Sequence, residues 1–351
     1  MNTQRWEALL KRGCEEQAFP CYAAAVGKGN ELYWRSLGGN RTTAPAPLPL
    51  TEDTLFDLAS LSKLVGTTMV TLRLLERGVL RLHHRIGDFF ASCHGKEAIT
   101  LEQLLTHTSG ITSHTALWKK EISPSHAADA VLSHPLAAPT GDRVIYSCMG
   151  FILLKSILET VTSLPLDTLV EREVTLPLGM KSTRYCPPPQ RLCAATEWQA
   201  DLNLHLCGTV HDENARFLGG VSGNAGLFSP PDDMIRFASM LSLEGKDYLS
   251  PVTFSNAIAD RTLQDPDHAR GLGFQLYRGG EVFPAGNGLS PGSYGHTGYT
   301  GTSLYVDRES GVYCLLLTNR VHNGRDTPAF FRYRKEFYNT VFADIRSVTR
   351  S

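Results

Sequence analysis

The stretch that most constrains this chain is an apolar helical run that begins directly after Ser60. Its apolar side chains recur at helical spacing: Leu61, Leu64, Val65, Met69, Leu72 and Leu75. Gly78 then stands where a glycine commonly ends a helix. The pattern predicts one amphipathic helix, with Ser60 in its first turn and Lys63 three residues further along the same face.

Ser60 and Lys63 form a Ser-x-x-Lys motif, in which the lysine amine can reach the serine hydroxyl and take its proton. A lysine with an ordinary pKa near 10.4 is charged at neutral pH. We therefore expect burial or a second cation to lower the pKa of Lys63 by about 3. The competing interpretation of so short a motif is a solvated pair on a helix surface. No other lysine of the chain has a serine three residues before it.

Two later segments supply possible partners. Tyr146 lies just before the apolar helical run 152–158, where a phenol can be directed into a cleft. Residues 294–306 combine glycines with a β-rich pattern, and such glycines let a substrate approach an edge strand. Taken alone, Tyr146 could equally be a packing residue, and the glycines of residues 294–306 could equally mark a bend in a strand.

The three segments occur in an order that resembles the class C β-lactamase, DD-peptidase and family VIII esterase superfamily. The motifs are Ser60-x-x-Lys63, Tyr146-x-Cys148 and His296-Thr297-Gly298. Residues 104–111, 208–215 and 218–229 are similar to further segments of its members, so the resemblance covers the whole chain. It implies an α+β fold, an antiparallel sheet flanked by helices plus an all-α lobe. It also implies a serine hydrolase acting on a small-molecule ester, amide or lactam.

The resemblance also implies roles for particular residues. Ser60 would be the acylated nucleophile, and Lys63 and Tyr146 would share the general acid and base work, with the identity of the base left open. The backbone N–H groups of Ser60 and Tyr299 would form the oxyanion hole. Thr297 and Gly298 would line the substrate site.

Two departures from the family pattern bear on the substrate. Cys148 replaces the usual asparagine, and a thiol is a poor hydrogen-bond partner for a substrate amide. His296 replaces the usual lysine, so a permanent charge becomes a group with an ordinary pKa near 6.5. Both changes favour uncharged esters or amides.

Three hypotheses of function follow. The first is a carboxylesterase or amidase that forms an acyl-enzyme on Ser60. The second is a β-lactamase or DD-carboxypeptidase, and the third is a non-catalytic ligand-binding relative. The chain has no Gly-x-Ser-x-Gly elbow, which argues against an α/β-hydrolase.

The distribution of apolar runs predicts the organisation of the chain. Gly29-Asn30 marks one hairpin, a second joins residues 301–307 to 311–320, and aromatic residues between 330 and 342 suggest a closing helix. Helical patterns predominate between about 60 and 260. We expect a discontinuous sheet domain of residues 1–58 and 261–351, a helical domain of residues 59–260, and the active site in the cleft between them.

Composition excludes several classes of partner and cofactor. A net charge of -1 offers no electrostatic basis for binding nucleic acid. The eight cysteines are scattered without Cys-x-x-Cys spacing, so we expect reduced thiols, no metal and no cofactor. The amino end lacks the apolar core of a secretory signal, and no stretch is long enough to cross a bilayer, so a cytoplasmic protein is expected. Nothing in the sequence specifies the oligomeric state.

Overall fold

The structure is a computed structural model that describes residues 1–189, 192–201, 203–265, 267–280 and 283–349. Its strands are β1 (Cys21–Lys28), β2 (Glu31–Thr42), β3 (Leu48–Pro49), β4 (Phe56–Asp57), β5 (Arg184–Tyr185), β6 (Trp198–Gln199), β7 (Leu204–His205), β8 (Leu227–Ser229), β9 (Ala269–Arg270), β10 (Gln275–Leu276), β11 (Tyr294–Thr297), β12 (Ser303–Val306) and β13 (Val312–Thr318).

The α-helices are α1 (Thr3–Glu15), α2 (Met69–Glu76), α3 (Leu101–Leu105), α4 (Ala127–Leu132), α5 (Cys148–Thr162), α6 (Leu166–Val170), α7 (Glu213–Phe217), α8 (Pro231–Ser242), α9 (Pro251–Ile258) and α10 (Pro328–Thr349). π-helical segments cover Lys63–Thr68 and Glu171–Thr175. Short 3₁₀ turns cover Ile86–Asp88, Leu117–Lys119, Pro124–His126 and Arg320–Asn323.

The two ends of the chain form one antiparallel sheet. Within the described residues its eight strands run in the order β3-β2-β1-β13-β12-β11-β10-β9. β1 joins the two ends, since it pairs with β2 on one side and with β13 on the other. Both predicted hairpins are present, β1–β2 and β12–β13, and the predicted closing helix is α10. The α+β fold expected from the sequence is confirmed.

Strand β1 is apolar along nearly its whole length because both of its faces are covered. Alternate side chains enter different cores: Ala23 and Ala25 join the larger cluster, whereas Tyr22 and Val26 join a second one. The second core lies under α1 and α10, whose aromatic side chains include Trp6. The larger core joins the other face of the sheet to the helical elements of the middle of the chain.

A second, smaller sheet positions the start of the Ser60 helix. β4 pairs with β8, which also pairs with β5. β4 ends at Asp57, three residues before Ser60. Ser60 itself lies in a turn, so it precedes the helix and does not occupy the predicted first turn. The helix then passes through the π-helical segment Lys63–Thr68 into α2, and Gly78 closes it with a φ of +70° as expected.

Among the described residues, no single helix combines the length and the apolar character needed to span a membrane; α5 together with Leu166–Thr175 meets the criterion only as a pair bent by 81°. The division of the chain into two domains stays a prediction.

Candidate active site

Ser60 follows a residue in a strained conformation. Ala59 has a φ of +45°, a region that costs a non-glycine residue about 1–3 kcal/mol. The buried carboxylate of Asp57 holds this turn, because its two oxygens accept hydrogen bonds from the N–H of Ala59 at 2.9 Å and of His211 at 2.7 Å. The strain is therefore supported by specific contacts that fix the direction of the Ser60 side chain.

Lys63 is completely buried and its amine makes three contacts. Nζ lies 2.9 Å from the Oγ of Ser60, 2.9 Å from the carbonyl oxygen of Asn224 and 3.4 Å from the Sγ of Cys148. No carboxylate forms an ion pair with this amine in the described part of the chain. The predicted contact between serine and lysine is present, and Asn224 is an anchor of the amine that the motifs did not identify.

The expectation that the pKa of Lys63 is lowered is wrong. Burial does lower it, but the neighbouring Cys148 thiol and Tyr146 phenol outweigh burial and raise the pKa above its ordinary value. These two groups act by being able to carry negative charge beside the ammonium. Lys63 therefore stays an ammonium when either neighbour carries a negative charge. This environment does not favour a neutral lysine amine as the base.

Tyr146 lies two residues before α5, at the junction predicted from the sequence. Its ring centroid is 5.0 Å from the Lys63 amine and 5.5 Å from the guanidinium carbon of Arg270. Its hydroxyl is buried and makes no hydrogen bond within the described residues. Two cations therefore flank a phenol whose oxygen has no hydrogen-bond partner within 3.5 Å among the described residues, although the Lys63 amine is near enough to interact with it.

His107 holds Tyr146 in place and was not assigned this role from the sequence. Its Nδ1 accepts a hydrogen bond from the Ser147 N–H at 3.0 Å, and its carbonyl accepts one from the Ile145 N–H at 2.8 Å. The imidazole and phenol ring centroids are 4.6 Å apart. Burial, followed by Arg270, lowers the pKa of His107 well below its ordinary value, so the ring is neutral.

The strand end after β11 closes the site from the opposite side. A Cβ on Gly298 would lie 2.3 Å from the carbonyl oxygen of Leu58, so only glycine fits this approach. The hydroxyl of Thr302 donates to the same oxygen at 3.0 Å, which ties the strand end to the turn before Ser60. The N–H groups of Ser60 and Tyr299 make no hydrogen bond with other described residues, as an oxyanion hole would require.

His296 is buried and differs from the group expected from the sequence. Its Nδ1 donates to the carbonyl of Thr297 at 2.7 Å, and its Nε2 is buried without a partner in the described residues. Burial, then Arg270, then Lys63 lower the pKa of His296 to about 3. The ring is therefore neutral at ordinary pH and does not titrate near 6.5.

Cys148 begins α5 and is half-buried. Its Sγ accepts the contact from Lys63, and it is not among the residues that line the cavity beside Ser60. A direct role in substrate binding, expected from its place in the tyrosine motif, stays a prediction. No disulfide bond joins any of the eight cysteines, all of which lie in the described ranges.

A cavity of about 290 Å³ opens beside Ser60. It brings together most of the predicted site residues with several that the motifs did not indicate. The lining residues are Ser60, Tyr146, Arg270, Gln275, His296, Thr297, Gly298, Tyr299, Arg320, Phe331 and Arg334. Among the described residues, three arginines and no carboxylate line it, so these walls carry positive charge. No group of three or more His, Cys, Asp and Glu side chains in the described ranges is arranged to hold a metal ion.

The site brings Ser60 together with a buried lysine, a tyrosine and a strand end that contains glycine, which are the residue types of a serine hydrolase site. The sequence profile described as Beta-lactamase matches residues 6–337. The chain therefore belongs to the Beta-lactamase family, a family of serine hydrolases.

Individual relatives agree with this assignment. A Salmonella typhi protein, provisionally named a D-alanyl-D-alanine carboxypeptidase, is 31% identical over 350 residues, covering 88% of this chain and 80% of its own length. Simvastatin synthase from Aspergillus terreus superimposes with a TM-score of 0.77 at 19% identity over 98% of both chains. EstCE1, a hydrolase with promiscuous acyltransferase activity, superimposes with a TM-score of 0.76 at 18% identity, covering 95% of this chain and 98% of its own. The two structural likenesses establish the fold alone.

Proposed function

We propose that this protein hydrolyses small esters or amides through an acyl-enzyme on Ser60. The observation that carries the proposal is the 2.9 Å contact between the Lys63 amine and the Ser60 hydroxyl, made by a lysine that is completely buried. A surface pair of serine and lysine would be solvated and would not share a cavity with a tyrosine and a glycine-lined strand end. The pair is thus in the geometry that activates a nucleophile.

The first half of the reaction transfers the acyl group to the enzyme. The Oγ of Ser60 attacks the substrate carbonyl carbon while its proton passes to the pair formed by Lys63 and Tyr146. The carbonyl oxygen takes up negative charge and receives hydrogen bonds from the N–H groups of Ser60 and Tyr299. The bond to the leaving group then breaks, and the leaving oxygen or nitrogen takes the proton from the pair.

The second half restores the enzyme. A water molecule gives a proton to the same pair, and its oxygen attacks the acyl carbon. The bond between that carbon and the Oγ of Ser60 breaks, Oγ regains a proton, and the carboxylic acid leaves. The raised pKa of Lys63 favours a division of labour in which Lys63 stays an ammonium, while the Tyr146 oxygen enters each half of the reaction as a phenolate, takes one proton and gives it up again before that half ends.

A DD-carboxypeptidase or β-lactamase activity is the second candidate. Its support is the name of the Salmonella typhi relative, which is 31% identical to this chain. The reaction would use the same residues with a peptide or lactam carbonyl as the acyl donor, so the two candidates differ in substrate and not in mechanism.

Pre-steady-state kinetics with p-nitrophenyl acetate tests the proposal. We expect a burst of p-nitrophenol equal to the concentration of active sites, followed by slower turnover, because acylation and deacylation are separate steps. Ser60→Ala should show no burst. Ser62→Ala is the matched control: it removes a hydroxyl two residues away that accepts the Leu227 N–H, and its burst should remain. A folded wild type without a burst or turnover would support a non-catalytic ligand-binding protein.

A further inference from the structure

Cys193 and Cys207 lie side by side, one on each side of the pair of strands β6 and β7. The Sγ of Cys207 donates to the carbonyl oxygen of Cys193 at 3.5 Å, and the Cys193 thiol donates to the Cys207 sulfur. The backbone between them is also paired. The N–H of Thr196 donates to the carbonyl of Leu206 at 2.7 Å, and the N–H of Leu206 donates to the carbonyl of Glu197 at 3.1 Å. The fold therefore brings two sulfur atoms together that are distant from any recognised motif.

The two thiols differ in exposure and in acidity. Cys207 is exposed, whereas Cys193 is 1% exposed and packs in a small core with Leu55 and Phe228. The hydrogen bond from Cys193 lowers the pKa of Cys207, and the charge of Arg41 lowers it further. The same hydrogen bond, and then burial, raise the pKa of Cys193. One sulfur is therefore a reachable thiolate, and the other stays a thiol beside it. A thiolate is the nucleophilic form of cysteine.

Exposure alone does not produce this arrangement in the chain. Cys186 is exposed as well, but its Sγ contacts the carbonyl oxygen of Gly219 at 3.4 Å. Burial, followed by the charge of Asp167, raises the pKa of Cys186 above its ordinary value. Cys186 is therefore the matched control for Cys207, an exposed thiol whose surroundings disfavour the thiolate.

We propose that Cys207 and Cys193 form a peroxide-sensitive dithiol that closes reversibly to a disulfide. The Cys207 thiolate attacks one oxygen of a hydroperoxide, so that an S–O bond forms and the O–O bond breaks. The leaving alkoxide takes up the proton that Cys207 released on ionising, and an alcohol results. The Cys193 sulfur then attacks the sulfenic acid sulfur. The S–S bond forms, the S–O bond breaks, and the hydroxyl leaves with the Cys193 proton as water. Two electrons pass from the sulfurs to the hydroperoxide.

The disulfide would join two segments that both reach the turn held by Asp57. Cys193 pairs with Leu55, which directly precedes β4. Cys207 leads to His211, whose N–H donates to the Asp57 carboxylate at 2.7 Å. A cross-link between the segments restricts the unfolded chain. We therefore expect the oxidised protein to have a higher Tm than the reduced protein.

Mass spectrometry of the whole protein tests the proposal. Reduced protein, freed of reductant, is treated with hydrogen peroxide and then alkylated in denaturant. Cleavage after Glu197 separates the two cysteines, so a disulfide between them keeps two peptides joined. We expect that joined pair, with a mass lower by about 2 Da than the sum of the two peptides, and its release by dithiothreitol. Before oxidation, iodoacetamide at pH 7 should label Cys207 about 10-fold or more faster than Cys186.

Three variants separate the roles of the cysteines. Cys207→Ser should form no joined pair, and peroxide should leave its Tm unchanged. Cys193→Ser should stop at the sulfenic acid of Cys207, which dimedone captures. Cys186→Ser should form the disulfide as wild type does.

Three results would overturn the inference. The first is that Cys193 and Cys207 stay reduced while peroxide oxidises Cys186. The second is equal labelling of Cys207 and Cys186 by iodoacetamide. The third is a disulfide that lowers the Tm, which would show that the two sulfurs are not placed for the bond. None of these measurements uses hydrolysis, so their outcome is independent of whether Ser60 is acylated.

Discussion

The two sides of the cavity differ in how completely their polar groups are satisfied. On the Ser60 side, the Lys63 amine has three partners, and the carboxylate of Asp57 holds the turn through two N–H groups. On the opposite side, the Tyr146 hydroxyl, the Arg270 Nε and the His296 Nε2 are buried with no partner among the described residues. All three residues line the cavity, so these atoms are placed to form hydrogen bonds with a molecule bound there.

The difference indicates two functions within one site. On the Ser60 side, protein groups hold the lysine amine and the turn without substrate, as expected for groups that must be ready for nucleophilic attack, although the Ser60 N–H and the Asn224 amide nitrogen have no partner among the described residues. The opposite side is incomplete, as expected for groups whose partners arrive with the substrate. The binding of an appropriate ligand would give these groups hydrogen-bond partners and would stabilise the folded protein.

The largest effect is expected at the Ser60 side. Ser60→Ala should lower kcat for an activated ester by on the order of 10³ or more, because the atom that forms the acyl-enzyme is removed. Thermal unfolding should be unchanged within a few degrees, since only a hydroxyl facing the cavity is lost. Steady-state hydrolysis of p-nitrophenyl acetate measures the effect. Residual activity above a tenth of wild type would remove Ser60 from the mechanism.

Lys63→Met tests whether the satisfied amine is needed for chemistry or for folding. We expect kcat to fall by about 10²-fold to 10⁴-fold, the range for a proton-transfer group. The free energy of unfolding should stay within about 2 kcal/mol of wild type, because losing the contact with Asn224 is offset by no longer burying a charge. Steady-state kinetics and urea unfolding of the same preparation measure kcat and the free energy of unfolding. A folded variant with wild-type kcat would contradict the role of Lys63.

Tyr146→Phe probes the unsatisfied side. We expect kcat to fall by on the order of 10². The free energy of unfolding should be unchanged or higher by about 1 kcal/mol, because the substitution removes a buried hydroxyl that has no partner among the described residues. A substitution that broke a hydrogen bond would lower it instead. A loss of stability above 1 kcal/mol in urea unfolding would show that this hydroxyl has a structural partner, and the contrast between the two sides would then disappear.

The smallest effect is expected from pH. The pKa of His296 is lowered to about 3 and that of His107 well below 6.5, so both rings stay neutral from pH 5 to pH 8. Burial lowers the pKa of Arg270 below its ordinary value, but a guanidinium stays protonated over the same range. The ratio of kcat/KM for an ester with a carboxylated leaving group to kcat/KM for its uncharged analogue should therefore change by less than about 2-fold. A ratio that rises 10-fold as pH falls through 6.5 would show that a histidine gains the charge that selects the carboxylate.

The sequence predicted the parts of the site that depend on local pattern. Helical spacing after Ser60, the hairpin at Gly29-Asn30 and the order of the three motifs were sufficient for the fold and for the contact between Ser60 and Lys63. These features are encoded by neighbouring residues, and the structure has them. The one difference is that Ser60 precedes the helix and does not lie in its first turn.

The charges of the site could not be predicted in the same way. The pKa of a group depends on burial and on neighbours that are remote in sequence. Lys63 was expected to be more acidic than usual, but Tyr146 and Cys148 lie beside it and raise its pKa. Arg270 belongs to no motif and reaches the cavity only because β9 joins the edge of the sheet.

The most direct test of the account is the mass of the intact protein after brief exposure to p-nitrophenyl acetate and acid quenching. An acyl-enzyme predicts a mass increase equal to one acetyl group, and peptide mapping should place it on Ser60. Ser60→Ala should show no such adduct under the same conditions. Acetylation of wild type at a different residue, or equal labelling of Ser60→Ala, would contradict the claim that Ser60 is the nucleophile.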